Sequence, residues 1–203
     1  KNEINSYVDY FIVFNETIKK EFQKYIKANY LTYGSFTSNS FNINTKNLIY
    51  KYLLVGQTAT SNLNRYRESN QSTVGEYLQP DFDFYKVLIP YILKEKNEKI
   101  NILAKSVDIT KKTLNFYNDL VGENNFNLID RTGYSYEIID KSEIIIGTTS
   151  TLLYEALSRG KKTAIFSHKS KIKKFENTKF GWPAKIENKG CFWTDSIDID
   201  EIK

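Results

Sequence analysis

A chain of 203 residues with 40% hydrophobic and 26% charged residues can build one or two globular domains and has an ordinary soluble composition. One cysteine, Cys191, and one histidine, His168, exclude an internal disulfide and a Cys/His zinc site, and the sparse cysteine fits a reducing cytoplasm. The net charge of +5 is spread along a chain rich in Lys, Asn, Ile and Tyr, and neither an apolar membrane-spanning run nor a charged-then-apolar leader is visible. The absence of methionine is what a fragment or a processed chain would show.

In chain order, Tyr10-Phe11-Ile12-Val13-Phe14 predicts a short strand, and Glu16 to Ala28 an amphipathic helix with Ile18, Phe22, Tyr25 and Ile26 on one face. Tyr30 to Ser35 predicts a strand entering a turn. This first piece is a βαβ fragment without a core of its own. Thr37 to Lys46, rich in Ser and Asn, reads as a linker, so the chain divides into residues 1–46 and a main domain of residues 47–203.

The main domain opens with a strand over Ile49 to Val55, ending at Gly56-Gln57-Thr58. Ala59 to Gln71, polar and carrying Arg65 and Arg67, reads as a loop or irregular helix. Asp81 to Lys94 predicts a helix kinked or broken at Pro90. Ile100 to Ala104 is a buried strand ending at Lys105, Thr113 to Val121 a helix closed by Gly122, and Phe126 to Ile129 another strand. Tyr134 to Asp140 predicts a short helix. Strands alternating with helices from Ile49 to Phe166 imply an α/β fold with a doubly wound, Rossmann-like parallel sheet.

The most informative stretch is Glu143 to Ser167. Ile144-Ile145-Ile146 stops at Gly147, a hydroxyl cluster Thr148-Thr149-Ser150-Thr151 follows, and Leu152, Leu153, Ala156 and Leu157 continue at helical spacing to Gly160. A second apolar run, Thr163-Ala164-Ile165-Phe166, completes a βαβ unit with parallel strands. A helix starting just beyond a parallel strand aims unpaired N–H groups and the positive end of its dipole into the crevice where such sheets bind ligands. Thr149, Ser150 and Thr151 would add hydroxyl donors for a phosphate, and Glu155 an acceptor for ribose hydroxyls. The plainer alternative is that Thr149 or Ser150 only caps the helix and Glu155 is a solvated face residue.

The other strand ends on that edge carry Gly56-Gln57-Thr58, Lys105-Ser106, Arg131-Thr132-Gly133 and Ser167-His168. This polar set with two fixed cations, Lys105 and Arg131, lacks a carboxylate cluster for a metal and suits a phosphate-bearing ligand. Either cation could equally be an ordinary surface charge. The lysines at 161, 162, 169, 171, 173 and 174 could face a phosphate, an anionic lipid or, as the plainest reading, water. His168 lies far from any nucleophile-elbow pattern, which argues against a Ser-His-Asp hydrolase, and no aromatic-basic stacking pattern speaks for nucleic acid.

The run Gly147 to Leu157, with Gly160-Lys161-Lys162 after it, resembles the donor-site segment of bacterial surface-polysaccharide glycosyltransferases of the GT-B type, in particular the surface carbohydrate biosynthesis family and the capsule β-Kdo transferases. Phe180-Gly181-Trp182-Pro183 and Gly190-Cys191-Phe192-Trp193-Thr194 are similar to later elements of that family, although the first pair could be a packed turn and the second core. The resemblance covers about Ile49 to Thr194. It implies that residues 47–203 form the carboxyl-terminal, nucleotide-sugar-binding domain and that residues 1–46 hold a remnant of the amino-terminal acceptor domain.

The resemblance further implies that Thr149, Ser150 and Thr151 bind the donor phosphate, that Glu155 binds the ribose, and that Gly56 and Gln57 stand for the glycine-containing loop after the first strand. It implies a sugar transferase with no metal or other cofactor, whose partners are a nucleotide-sugar donor and a glycan or glycolipid acceptor of a capsule or lipopolysaccharide. A cytoplasmic place follows, with room for peripheral contact with the inner membrane. The match departs from the pattern at Lys105-Ser106-Val107, where several transferases using CMP-linked sugars carry His-Pro. A CMP-linked donor is therefore open, and no catalytic base is named. A CDP-glycerol or CDP-ribitol type phosphotransferase and a non-catalytic Rossmann-like binding module remain as alternatives.

Overall fold

The computed structural model describes residues 6–44, 46–57, 73–105, 111–129, 134–166, 189–194 and 196. They fall into two compact units, the first ending at Asn42 and the second beginning at Ile43.

The first unit is small. β1 (Ser6–Val13) and β2 (Ile26–Thr32) pair in parallel, with Ile12 opposite Leu31, and α1 (Glu16–Phe22) connects them. Asn15 caps α1 by accepting the Ile18 N–H at 2.9 Å. The Phe11 ring meets Phe22 and Tyr30 edge-on at 5.3 and 5.7 Å, and Val13 and Ile18 are buried beside this small sheet. The predicted helix over Glu16 to Ala28 is thus too long. It ends at Phe22, and Ile26 to Ala28 join β2 because Ile26 and Lys27 find partners in Ser6 and Tyr7 of β1. Inside the Ser- and Asn-rich linker a single turn, α2 (Phe36–Asn39), forms under a cap at Ser35, whose Oγ accepts from the Ser38 N–H.

The second unit holds a seven-stranded sheet. Its strands are β3 (Tyr50–Val55), β4 (Ile100–Leu103), β5 (Phe126–Leu128), β6 (Ser142–Gly147), β7 (Lys162–Phe166), β8 (Lys189–Gly190) and β9 (Trp193–Thr194). In space they run β5-β4-β3-β6-β7-β9-β8, all parallel except the antiparallel edge strand β8. From β3 the chain steps outward to β4 and β5, then returns to β6 beside β3 and steps outward the other way. That is the doubly wound Rossmann-like order. The Val55–Gly147 pairing between β3 and β6 therefore marks the topological switch point.

Among the described residues four helices join these strands: α3 (Thr73–Lys96), α4 (Lys111–Val121), α5 (Ser135–Asp140) and α6 (Thr151–Ser158). α3 begins at Thr73 rather than Asp81 and carries both Pro80 and Pro90 inside it. α3 and α4 cover one face: the Phe82 ring meets Phe116 at a tilt, 4.7 Å between centroids, and Tyr85 lies 6.3 Å from Tyr117, over Tyr52, Leu54, Ile100 and Ile102. Alternation along the strands turns Leu53, Ile145 and Gly147 to the opposite face, where the Leu153 methyls of α6 close on Gly147. Right-handed crossovers on the two sides of the switch point require this division of helices between faces. Gly122 and Gly160, with φ of 88° and 75°, take the left-handed positions that end α4 and α6.

Candidate functional site

A cavity of about 320 Å³ opens at the carboxyl ends of β3, β4 and β6. Its walls bring together Gly56 and Gln57 after β3, Lys105 after β4, Ser135 at the start of α5, and Thr149, Ser150, Thr151 and Leu152 at the start of α6. Val55, Leu103 and Ala104 form an apolar floor. A crevice outside the strand ends at a switch point is where open α/β sheets take ligands. Six of the eight residues that the sequence nominated, Gly56, Gln57, Lys105, Thr149, Ser150 and Thr151, line this one space.

Each wall has a local cause. Ser150 stands in extended backbone before α6, and its Oγ accepts the Leu152 N–H at 3.3 Å, while the Ser150 carbonyl accepts the Leu153 N–H at 3.1 Å. The hydroxyl thus does cap the helix, and its proton remains able to donate outward. The Thr151 N–H stands at the first helical position, where no intrahelical acceptor exists. Thr148, just before this loop, is fully buried, and its Oγ1 has no hydrogen-bond partner. Lys105 is exposed at the rim.

The β3 corner is held from behind by two buried tyrosines, Tyr85 and Tyr117, which the sequence does not single out within their helices. Gln57 donates its N–H to the Tyr85 hydroxyl at 3.1 Å, and Gly56 donates its N–H to the Leu103 carbonyl at 2.9 Å. A Cβ on Gly56 would stand 2.7 Å from the Tyr117 hydroxyl, so no other residue fits without a shift. Burial pushes the Tyr85 phenol well above the ordinary tyrosine range, and the nearby Asp81 carboxylate and Tyr117 push the same way, against the lowering effect of the Gln57 N–H. Tyr85 therefore stays neutral as an acceptor at any physiological pH.

Glu155 sits one turn along α6 and is not among the residues lining the cavity. It accepts a hydrogen bond from the Tyr136 hydroxyl at 3.1 Å. Arg131 and His168 lie outside the described residues, as do the Ala59 to Gln71 segment, Ser106-Val107, Lys169 to Lys174 and Phe180 to Pro183.

The opposite, amino-terminal edge of the sheet carries a buried charged cluster that corrects the reading of the lysine run. Lys161, expected in water, is 8% exposed and donates to the carbonyls of Asp140 and of Ser142, the latter at 2.9 Å. Arg159 grips Asp140 through two bonds, Nε to Oδ1 at 2.8 Å and a terminal nitrogen to Oδ2 at 2.6 Å, and Asn44 donates its N–H to Oδ2 at 3.0 Å. Desolvation alone would raise the Asp140 carboxyl, but Arg159, the Asn44 amide and Lys161 together hold it below the usual range. The same desolvation lowers Lys161. Lys162 faces outward, 3.5 Å from Glu143.

Among the described residues no group of three or more His, Cys, Asp or Glu side chains converges as metal ligands, and no helix is long and apolar enough to cross a membrane. The whole chain, residues 1–203, matches the model of a family described as "putative O-antigen biosynthesis protein". No curated protein matches the sequence.

Proposed function

The chain belongs to this O-antigen biosynthesis protein family, and from that premise we propose that its second unit is the donor-binding domain of a GT-B glycosyltransferase. In this reading the enzyme moves a sugar from a nucleotide-sugar donor to a surface polysaccharide or lipopolysaccharide acceptor. The first unit, up to Asn42, belongs to the acceptor-side domain. The observation that carries the reading is the switch-point crevice, where the α6 amino terminus, three hydroxyl residues and Lys105 share one cavity.

The chemistry follows from charge. Sugar transfer leaves a nucleotide phosphate carrying developing negative charge, which helix N–H groups and a lysine at the rim would stabilise. Thr149, Ser150 and Thr151 would donate to the phosphate oxygens, and Lys105 would add a mobile cation from the rim. Glu155, which accepts from Tyr136 through one oxygen, would offer its remaining acceptor capacity to the ribose hydroxyls. Arg131 would act as a second cation from the loop after β5. The acceptor is a glycan or glycolipid met at the inner membrane surface, and nucleic acid has no part.

A thermal-shift screen with CMP, CDP, UDP, GDP and ADP on the wild-type chain and on Lys105→Ala tests this. A ligand that binds only the folded state raises the melting temperature by mass action. Selective stabilisation by one nucleotide, reduced in Lys105→Ala, supports the donor site and names its class. Selectivity for CDP would favour the glycerol- or ribitol-phosphate transferase instead. No response to any of the five would sink the donor reading for this chain and leave a binding module.

A further inference from the structure

The Gly56–Gln57 peptide is turned in a way that assigns a direction to the crevice. The Gln57 N–H points to the α3–α4 face of the sheet, where it is bound by Tyr85, a side chain with no exposure. In a planar trans peptide the preceding carbonyl points the opposite way. Away from α3 and α4 lies the face that carries α5 and α6, with Ser135 and Thr149 to Leu152 across the cavity. Tyr85 thus engages the Gln57 amide, and the Gly56 carbonyl is turned away from that bond.

We propose that the crevice is polarised, with the α6 start and Lys105 taking an anion and the Gly56 carbonyl taking a hydrogen-bond donor, a hydroxyl or an amine, of the same ligand, and that Tyr85 is the positioning residue that fixes this polarity. The inference rests on the donor-site reading above and sharpens it. A phosphate placed against the β3 corner would meet an oxygen, so only the α6 side can hold it. A ribose hydroxyl or a base amino group, which can donate, fits the β3 side. Tyr117 supports the same corner by filling the space where a Gly56 Cβ would stand, 2.7 Å from its hydroxyl. The two buried tyrosines hold the corner from two different helices.

Two probes separate the ends of the site: methyl phosphate, an anion that carries no donor when doubly ionised, and ribose 5-phosphate, the same anion with sugar hydroxyls. Calorimetry or ligand-observed NMR on the wild-type chain should find ribose 5-phosphate bound roughly three- to tenfold more tightly, the worth of one added hydrogen bond. In Tyr85→Phe that advantage should vanish while the methyl phosphate affinity is unchanged, a split that a merely structural tyrosine would not produce. If Tyr85→Phe does not fold, the carbonyl carbon resonance of Gly56 in the wild-type chain, labelled at glycine, decides the matter. It should move with ribose 5-phosphate and stay with methyl phosphate. An advantage that survives in Tyr85→Phe, or a Gly56 carbonyl resonance blind to ribose 5-phosphate, overturns the polarity. If methyl phosphate binds and ribose 5-phosphate gains nothing, only the polarity fails. If neither binds, the donor-site reading fails with it.

Discussion

Replacing Asp140 by alanine tests whether the buried cluster at the amino-terminal edge holds the second unit together. Both partners of the Asp140–Arg159 pair have side chains 3% exposed, and the carboxylate also receives the Asn44 amide. Its removal leaves the Arg159 guanidinium buried against the Tyr136 ring at 5.4 Å, with Lys161 beside it and its directly bonded carboxylate gone, while Glu155 still offsets part of the charge. Breaking one side of such a buried pair costs about 3–5 kcal/mol, against about 0–1 kcal/mol for an exposed pair. Urea unfolding of Asp140→Ala should show that loss, and its melting temperature should fall by roughly 6–20 °C for a domain of this size. Arg159→Met in the same chain should restore part of it, because the second substitution removes the orphaned charge; Lys161 keeps the recovery incomplete. The cluster lies at the strand starts, away from the crevice, so whatever fraction stays folded should bind ligand as the wild type does. A loss below about 1 kcal/mol would refute the reasoning and reduce the pair to the standing of a surface contact.

The pH dependence has two limbs of known sign. The Asp140 carboxyl is lowered in the folded state, so its contribution is complete above the unfolded aspartate value of about 3.9 and is lost as pH falls through the lower folded value. Acid unfolding of Asp140→Asn should lack that share of the slope. The Tyr85 phenol is raised, so its contribution is complete below about 10 and declines as pH rises beyond it, and Tyr85→Phe should unfold less steeply in alkali. Gly56→Ala should cost about 1–3 kcal/mol by overpacking against the Tyr117 hydroxyl, and Tyr117→Phe in the same chain should return part of that loss in a denaturant titration. Ser150→Ala removes the cap of α6 and should lower stability by about 1 kcal/mol, readable in the same titration.

The βαβ unit around Gly147 was legible because each of its signals is local. An apolar run, a capping serine and a left-handed glycine lie within one short stretch, and each needs only its neighbours in sequence to act. The alternation of strands and helices from Tyr50 to Phe166 carried the doubly wound sheet in the same way, and topology then carried Gly56, Lys105 and Thr149 to one edge. What stayed hidden depends on partners far along the chain. The stripe of Ile18, Phe22, Tyr25 and Ile26 is helical in spacing, yet pairing with β1 draws Ile26 into a strand. Lys161 belongs to a basic run and looks solvated, but Asp140 and Ser142 bury it from 21 and 19 residues away. Nothing local marks Tyr85 within its helix, because its bond to Gln57 spans 28 residues. Glu155, like Ser150 and Lys105, admits two local roles from sequence, and its bond from the Tyr136 hydroxyl spans 19 residues.

The central claim is that a nucleotide lodges at the switch point. Amide chemical-shift mapping of the isotope-labelled chain, titrated with the five nucleotides CMP, CDP, UDP, GDP and ADP, tests it most directly. The account predicts that the nucleotide that binds moves the resonances of Gly56, Lys105, Thr151 and Leu152, and leaves Asn44, Asp140 and Lys161 at the far edge in place. Shifts gathered at that far edge, or no shift with any of the five, would contradict it.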